Sequence, residues 1–133
     1  IKTPWPSLKA DSTAALVELL DLYPTLCDLT ALPTPHQCEG SSLLPLLKDS
    51  QAPWTDLAYS QYPRHGGVVG YSVKSPSARY TEWRNKKTNA IIAREYYDHH
   101  TDPDENSNVA DKREYQSEMT RLSVTLNKNL INK

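Results

Sequence analysis

The 133 residues contain no phenylalanine and a single methionine, so an aromatic core has to be built from eight tyrosines and three tryptophans. Each of these carries a polar atom that needs a partner when buried. Glycine is scarce, four residues against ten prolines, and Gly66-Gly67 is an isolated pair, which excludes a glycine-rich phosphate loop. Two cysteines without Cys-x-x-Cys spacing argue against a four-ligand zinc site. Charge of one sign is also missing: the formal net charge is -1. No global field draws the chain to nucleic acid or to an anionic membrane. No apolar run approaches the roughly 20 residues that a membrane span needs. No Asn-x-Ser/Thr sequon occurs.

What is present describes a small ordered fold with many turns. The charged fraction is ordinary at 23%, so disorder is not implied. The length suits one domain able to bury about two-thirds of its unfolded surface. Cys27 and Cys38 lie eleven residues apart across a turn-rich segment. A disulfide there fits an exported protein, and a pair of free buried thiols fits equally simple packing.

Residues 1–12 carry two prolines and no period and read as an extended lead-in. Leu16, Leu19, Leu20, Tyr23, Leu26, Cys27 and Leu29 then recur near helical spacing. Pro24 is tolerable only in a helix's first turn, so a helix over about 22–31 is predicted, with Asp21 as N-cap. The stretch is apolar on more than one side, as though shaped against something large. Ser41–Leu47 predicts a short capped helical turn.

Leu57–Tyr62 and Val68–Lys74 flank Pro63-Arg-His-Gly-Gly67, and Arg79–Trp83 and Ala90–Tyr97 flank the basic tip Arg84-Asn-Lys-Lys87. Two hairpins and a four-stranded antiparallel sheet follow, in an α+β fold. Tyr59 and Tyr62 suggest an aromatic strand face used for core packing. Asp111-Lys-Arg-Glu114 resembles a capping box, and behind it Tyr115, Met119, Leu122, Leu126 and Leu130 form one apolar stripe. That C-terminal helix is expected to cover one face of the sheet, although a coiled-coil partner would use the same stripe.

The order of Asp21-Leu-Tyr-Pro-Thr25, Glu39-Gly-Ser-Ser-Leu-Leu-Pro-Leu-Leu47, Tyr59-Ser-Gln-Tyr-Pro-Arg64, Gly70-Tyr-Ser-Val-Lys74, Arg79-Tyr-Thr-Glu-Trp83 and Asp102-Pro-Asp-Glu-Asn-Ser-Asn108 resembles the C-terminal region of a sulfatase. The resemblance runs over about residues 13 to 128 and is greatest to the iduronate-2-sulfatase-like branch. It implies that 1–48 are the tail of a large catalytic domain of alkaline-phosphatase-like fold. It also implies that 49–133 are an antiparallel-sheet subdomain beside that domain. The partners it implies are that N-terminal catalytic domain and a sulfated saccharide, in a secreted or periplasmic protein. The family's nucleophile is a formylglycine made from the cysteine of a Cys-x-Pro-Ser-Arg motif. Cys27 precedes Asp-Leu-Thr and Cys38 precedes Glu-Gly-Ser, so neither matches. The oxygen-ligand patterns that hold the family's calcium are missing as well. Formylglycine and calcium are therefore expected in a catalytic domain outside this chain, which by itself would be catalytically silent.

What remains is shape and substrate contact. Guanidinium groups pair with sulfate or carboxylate through two parallel hydrogen bonds. Arg64, on a loop beginning at Pro63, is the candidate substrate contact, with His65 beside it. The resemblance puts this loop near the mouth of the active-site pocket. Arg64 buttressing a domain interface through an ion pair is the other reading. Asp98-His-His-Thr-Asp102 has metal-ligand residue types, but adjacent histidines point to opposite faces of a strand. The resemblance instead makes Asp98, Asp102, Glu105 and Asn108 turn residues that bind local backbone amides. Arg79, Arg84, Lys86, Lys87 and Arg94 offer a polyanion-facing edge or, more simply, a solvated hairpin tip. No Ser/His/Asp constellation is supported. A rival class is a stand-alone, non-catalytic module that binds sulfated glycans or a protein partner.

Overall fold

Four strands in sequence order make the sheet that the alternating residues of the middle third predict. β1 (Ala58–Arg64), β2 (Val68–Lys74), β3 (Ala78–Asn85) and β4 (Ile91–Asp98) are antiparallel neighbours in the order β1-β2-β3-β4. The computed structural model describes residues 1, 4, 5, 8 and 11–131. Half of the 1–12 lead-in lies outside the described residues; within it the Leu8 amide donates to the Trp5 carbonyl. The chain divides into two units, Ile1–Asp56 and Leu57–Lys133.

In the second unit Tyr59, Val73, Tyr80 and Tyr96 stand in one cross-strand row. Helix α3 (Gln116–Leu126) lays Met119, Leu122 and Leu126 on that face, all buried, with Tyr115 packed at the margin. The Tyr96 and Tyr115 ring centroids are 5.0 Å apart. The predicted stripe is thus used for core packing, as far as it is described; the Leu130 side chain lies outside the described residues. The predicted cap is different. Asp111 is exposed, and a 3₁₀ turn over Arg113–Tyr115 leads into α3 with no side-chain cap. A one-turn lead-in moves the helix start beyond the reach of Asp111.

Tyr59 and Tyr62 do not share a face. They are three residues apart on a period of two, so Tyr59 joins the core while Tyr62 stays 65% exposed on the opposite side. The first hairpin is also tighter than predicted. Pro63 and Arg64 are strand residues paired with Val69 and Val68, and the turn is His65-Gly66-Gly67, both glycines at positive φ. Pro63 fits because β1 is the edge strand of the described sheet.

The first unit holds α1 (Leu22–Leu29) and the five-residue α2 (Leu44–Lys48). Pro24 occupies the third position of α1, inside the first turn. Asp21 precedes the helix but does not cap it: its carboxylate accepts the Glu18 and Ser41 amides, both at 2.8 Å, stitching the entry to the Gly40–Ser41 loop. Gly40 has to be glycine at that seam, because a Cβ would lie 2.2 Å from the Leu20 carbonyl oxygen. α1 ends in a Schellman turn, with Leu32 and Ala31 amides donating to Cys27 and Asp28 carbonyls and Ala31 at φ 55. The apolar side chains of residues 19–26 are not all used inside the unit: Leu19, at 86%, and Leu20, Leu22, Tyr23 and Leu26 are exposed.

Candidate functional site

α3 covers one face of the sheet, and Trp83 stands on the other. Odd-numbered residues of β3 point there, as do the even-numbered residues of β1 and β2 that pair with them. Tyr62, Gly70 and Trp83 lie side by side across three strands. Gly70 leaves room for the indole, since a Cβ there would meet Trp83 Cζ3 at 2.6 Å. The indole Nε1 donates to Glu95 Oε1 on β4 at 2.9 Å, which fixes the ring's rotation.

Arg64 comes in from the end of β1 and places its Cζ 4.0 Å from the Trp83 ring centroid, a cation–π contact. Among the described residues no carboxylate pairs with it. His65 follows in the turn, and Tyr62, Pro63, Arg64 and His65 line one shallow, solvent-open hollow. Both proposed substrate contacts are exposed and adjacent. Trp83, Gly70 and Glu95 were not singled out from sequence, although an isolated glycine inside a strand pattern is the mark of a close approach.

The other cations are distributed differently from the predicted basic edge. Arg84 is not at a solvated tip: it is 7% exposed and bound to Glu82, with Asn127 Oδ1 accepting from Nη2 at 3.0 Å. Arg79 Nε donates to both Glu105 oxygens, at 2.8 and 2.9 Å. Lys86, Lys87 and Arg94 remain exposed.

The acidic run after β4 is a turn. Asp98 accepts the His100 amide and the Tyr115 hydroxyl. Asp102 accepts the Ser107 amide, and Asn108 Oδ1 accepts the Tyr96 and Ala110 amides. Glu105 differs from its predicted part: at φ 57 it turns its carboxylate to Arg79 and to His99 Nε2, 2.7 Å away, instead of to backbone amides. Among the described residues no group of three or more His, Cys, Asp or Glu side chains converges as a metal site would require. Cys27 is buried, Cys38 half-buried, and both are free thiols.

Backbone amides hold Asp98 and Asp102 below the ordinary aspartate range, the His100 amide for the first and the Asn106 and Ser107 amides for the second. At Glu105 burial opposes the charge, but hydrogen bonds from Arg79 and His99 outweigh it and the carboxyl also titrates low. A depressed folded-state pKa contributes stability that is complete above the unfolded value near 4.5 and is lost as pH falls through the folded one. Glu105→Gln should therefore destabilise at pH 7 and make little difference in acid. Urea midpoints for both proteins at pH 7 and about pH 3 check this; a difference that does not shrink in acid overturns it.

The model of the family described as N-sulphoglucosamine sulphohydrolase, C-terminal, matches residues 1–132. Human arylsulfatase K is 31% identical over 118 residues, covering 80% of this chain and 21% of that protein. An N-acetylglucosamine-6-O-sulfatase of Bacteroides thetaiotaomicron is 27% identical over 128 residues, covering 90% of this chain and 22% of that one. A solved complex described as holding its substrate D-glucosamine-2-N,6-O-disulfate aligns with a TM-score of 0.69 and 26% identity, over 81% of this chain and 22% of that one. The chain thus spans about a fifth of the length of these relatives. No described helix is long and apolar enough to cross a membrane. With residues 1–132 matched by the family model and the sheet-and-helix architecture shared, this chain belongs to the family described as N-sulphoglucosamine sulphohydrolase, C-terminal.

Proposed function

We propose that this chain is the closing portion of an exported sulfatase that hydrolyses sulfate esters of glycosaminoglycan-type saccharides. In this reading it completes the substrate pocket and stabilises the catalytic domain. The observation that carries the reading is the end-to-end family match of a chain that spans only a fifth of its relatives. The reacting groups, formylglycine and calcium, would belong to the preceding four-fifths. The exposed leucines of residues 19–26 support a packing role, because that missing length is a partner large enough to cover them.

Arg64 and His65 would contact the anionic sugar. The Tyr59–Arg64 and Arg79–Trp83 runs support a uronate 2-O-sulfate, as in iduronate-2-sulfatases. The named relatives support glucosamine 6-O- and N-sulfates. The complete protein carrying this segment is assayed against 2-O-sulfated uronate disaccharide, N-acetylglucosamine 6-sulfate and glucosamine-2-N,6-O-disulfate. Turnover of at least one is expected, and turnover of none refutes the reading. Arg64→Ala should lower kcat/KM on the preferred saccharide about 10- to 100-fold at unchanged Tm, the scale of a lost charge-assisted bidentate pair. Arg64→Lys should recover only part of it, because an ammonium lacks the planar fork. An unchanged kcat/KM for Arg64→Ala removes Arg64 from substrate contact.

A further inference from the structure

Arginine held by an ion pair has spent its charge and part of its hydrogen-bonding fork. Arg64 is held another way. Its guanidinium rests on the Trp83 ring, its Cζ 4.0 Å from the centroid, and no described carboxylate reaches it. The five N–H donors of the fork stay available, since none donates to a described protein acceptor. An exposed arginine with no partner would lose considerable rotamer freedom on binding an anion. One that is already seated on an aromatic face gives up less.

The seat itself is built across three strands. Gly70 is buried, and the Trp83 ring fills the space above it, where any Cβ would lie 2.6 Å from the ring. Glu95 accepts the indole N–H at 2.9 Å, and Tyr97 donates to the other Glu95 oxygen at 3.5 Å. Position, rotation and room are thus set by β2, β3 and β4, while the guanidinium they support comes from β1. A tryptophan that served only to pack would need none of this to be aimed at a solvent-facing cation.

We propose that Trp83 is the positioning residue of this site. Its indole, seated on Gly70 and tethered to Glu95, preorganises Arg64 with its donors free for a sulfate or carboxylate group of the sugar. The proposal deepens the reading of Arg64 as a substrate contact and rests on it.

In the complete protein, Trp83→Leu keeps a smaller apolar side chain and removes the π face, while Trp83→Phe keeps a smaller π face without the N–H that Glu95 holds. With the preferred saccharide of the panel above, Trp83→Leu should raise KM about 3- to 30-fold, the range of a cation–π contact. The change in kcat should be smaller, and so should the effect on 4-nitrophenyl sulfate, which offers no second anion. Trp83→Phe, which keeps a π face but loses the Glu95 tether, should recover part of the loss, and Trp83→Leu should add nothing in an Arg64→Ala background. If Trp83→Leu does not fold, Trp83→Phe carries the test through a rise of about two- to fivefold. An unchanged KM for the Trp83 variants, with Arg64→Ala still impaired, overturns the positioning role alone. So do losses that are equal on both substrates, or additive with Arg64→Ala. If Arg64→Ala is itself unimpaired at wild-type Tm, the substrate-contact reading fails and takes this inference with it.

Discussion

Glu82→Ala should destabilise the sheet unit by about 3–5 kcal/mol, the scale of breaking a buried ion pair from one side. Glu82 is fully buried, and its carboxylate is the common acceptor for Arg84, the Tyr80 hydroxyl at 3.0 Å and the Ser123 hydroxyl of α3. Removing it strands a guanidinium that is itself 7% exposed, together with two hydroxyls. Tyr80 does not readily take over the negative charge, since burial, the first cause of its raised phenol pKa, persists when Glu82 is gone. The cost belongs to the orphaned partner more than to the pair. The double variant Glu82→Leu/Arg84→Met should therefore recover most of the stability, because an apolar pair of similar volume avoids both desolvation terms. Urea denaturation of the single and double variants, followed by near-ultraviolet circular dichroism, separates the cases. A double variant no more stable than Glu82→Ala would show that the network holds something other than charge balance.

Leu122→Ala is the apolar counterpart and should cost about 3–4 kcal/mol. Leu122 is fully buried where α3 crosses the sheet, in one cluster with Val73, Tyr80, Met119 and Leu126. Its strand-borne neighbours in that cluster, Val73, Tyr80 and Tyr96, stand on backbone fixed by cross-strand hydrogen bonds, so the vacated space collapses poorly. Leu122→Met, which conserves volume, should cost less than about 1.5 kcal/mol. Thermal unfolding of the same set checks both, and an alanine variant within about 1 kcal/mol of wild type would mean that α3 is not seated on the sheet as described.

Legibility in the sequence followed the range of the interactions. The four strands and the apolar stripe of α3 were readable because period-two and period-3.6 patterns are local records of which face is buried. Asp98, Asp102 and Asn108 were assigned as turn residues through the resemblance, and each does accept an amide within a few residues, as Asx side chains in turns do. Arg84 was misplaced at a solvated tip because its partners, Glu82 and Asn127, are set by strand pairing and by a helix 43 positions away. Asp21 was misread as a helix cap because the Ser41 amide that it accepts lies 20 residues on. Glu105 likewise left its local amides for Arg79, 26 positions back in sequence.

The candidate site divides along the same line. Arg64 and His65 were named from motif order alone, and a guanidinium beside a proline-led turn is a local feature. What holds Arg64 was not visible, because Trp83 is 19 positions away in sequence and becomes its neighbour only through two strand registers.

By itself the sequence determined the class of fold, the family and the absence of a nucleophile motif, all of which are written in short-range patterns and in residue identity. The tertiary structure alone decided which charges are spent and which are free. Glu82 and Glu105 claim Arg84 and Arg79, while Arg64 rests on an aromatic ring with no carboxylate partner among the described residues. The physical reason is that charge pairing depends on distances of a few ångströms between strands, and no residue spacing along the chain encodes those until the register is set.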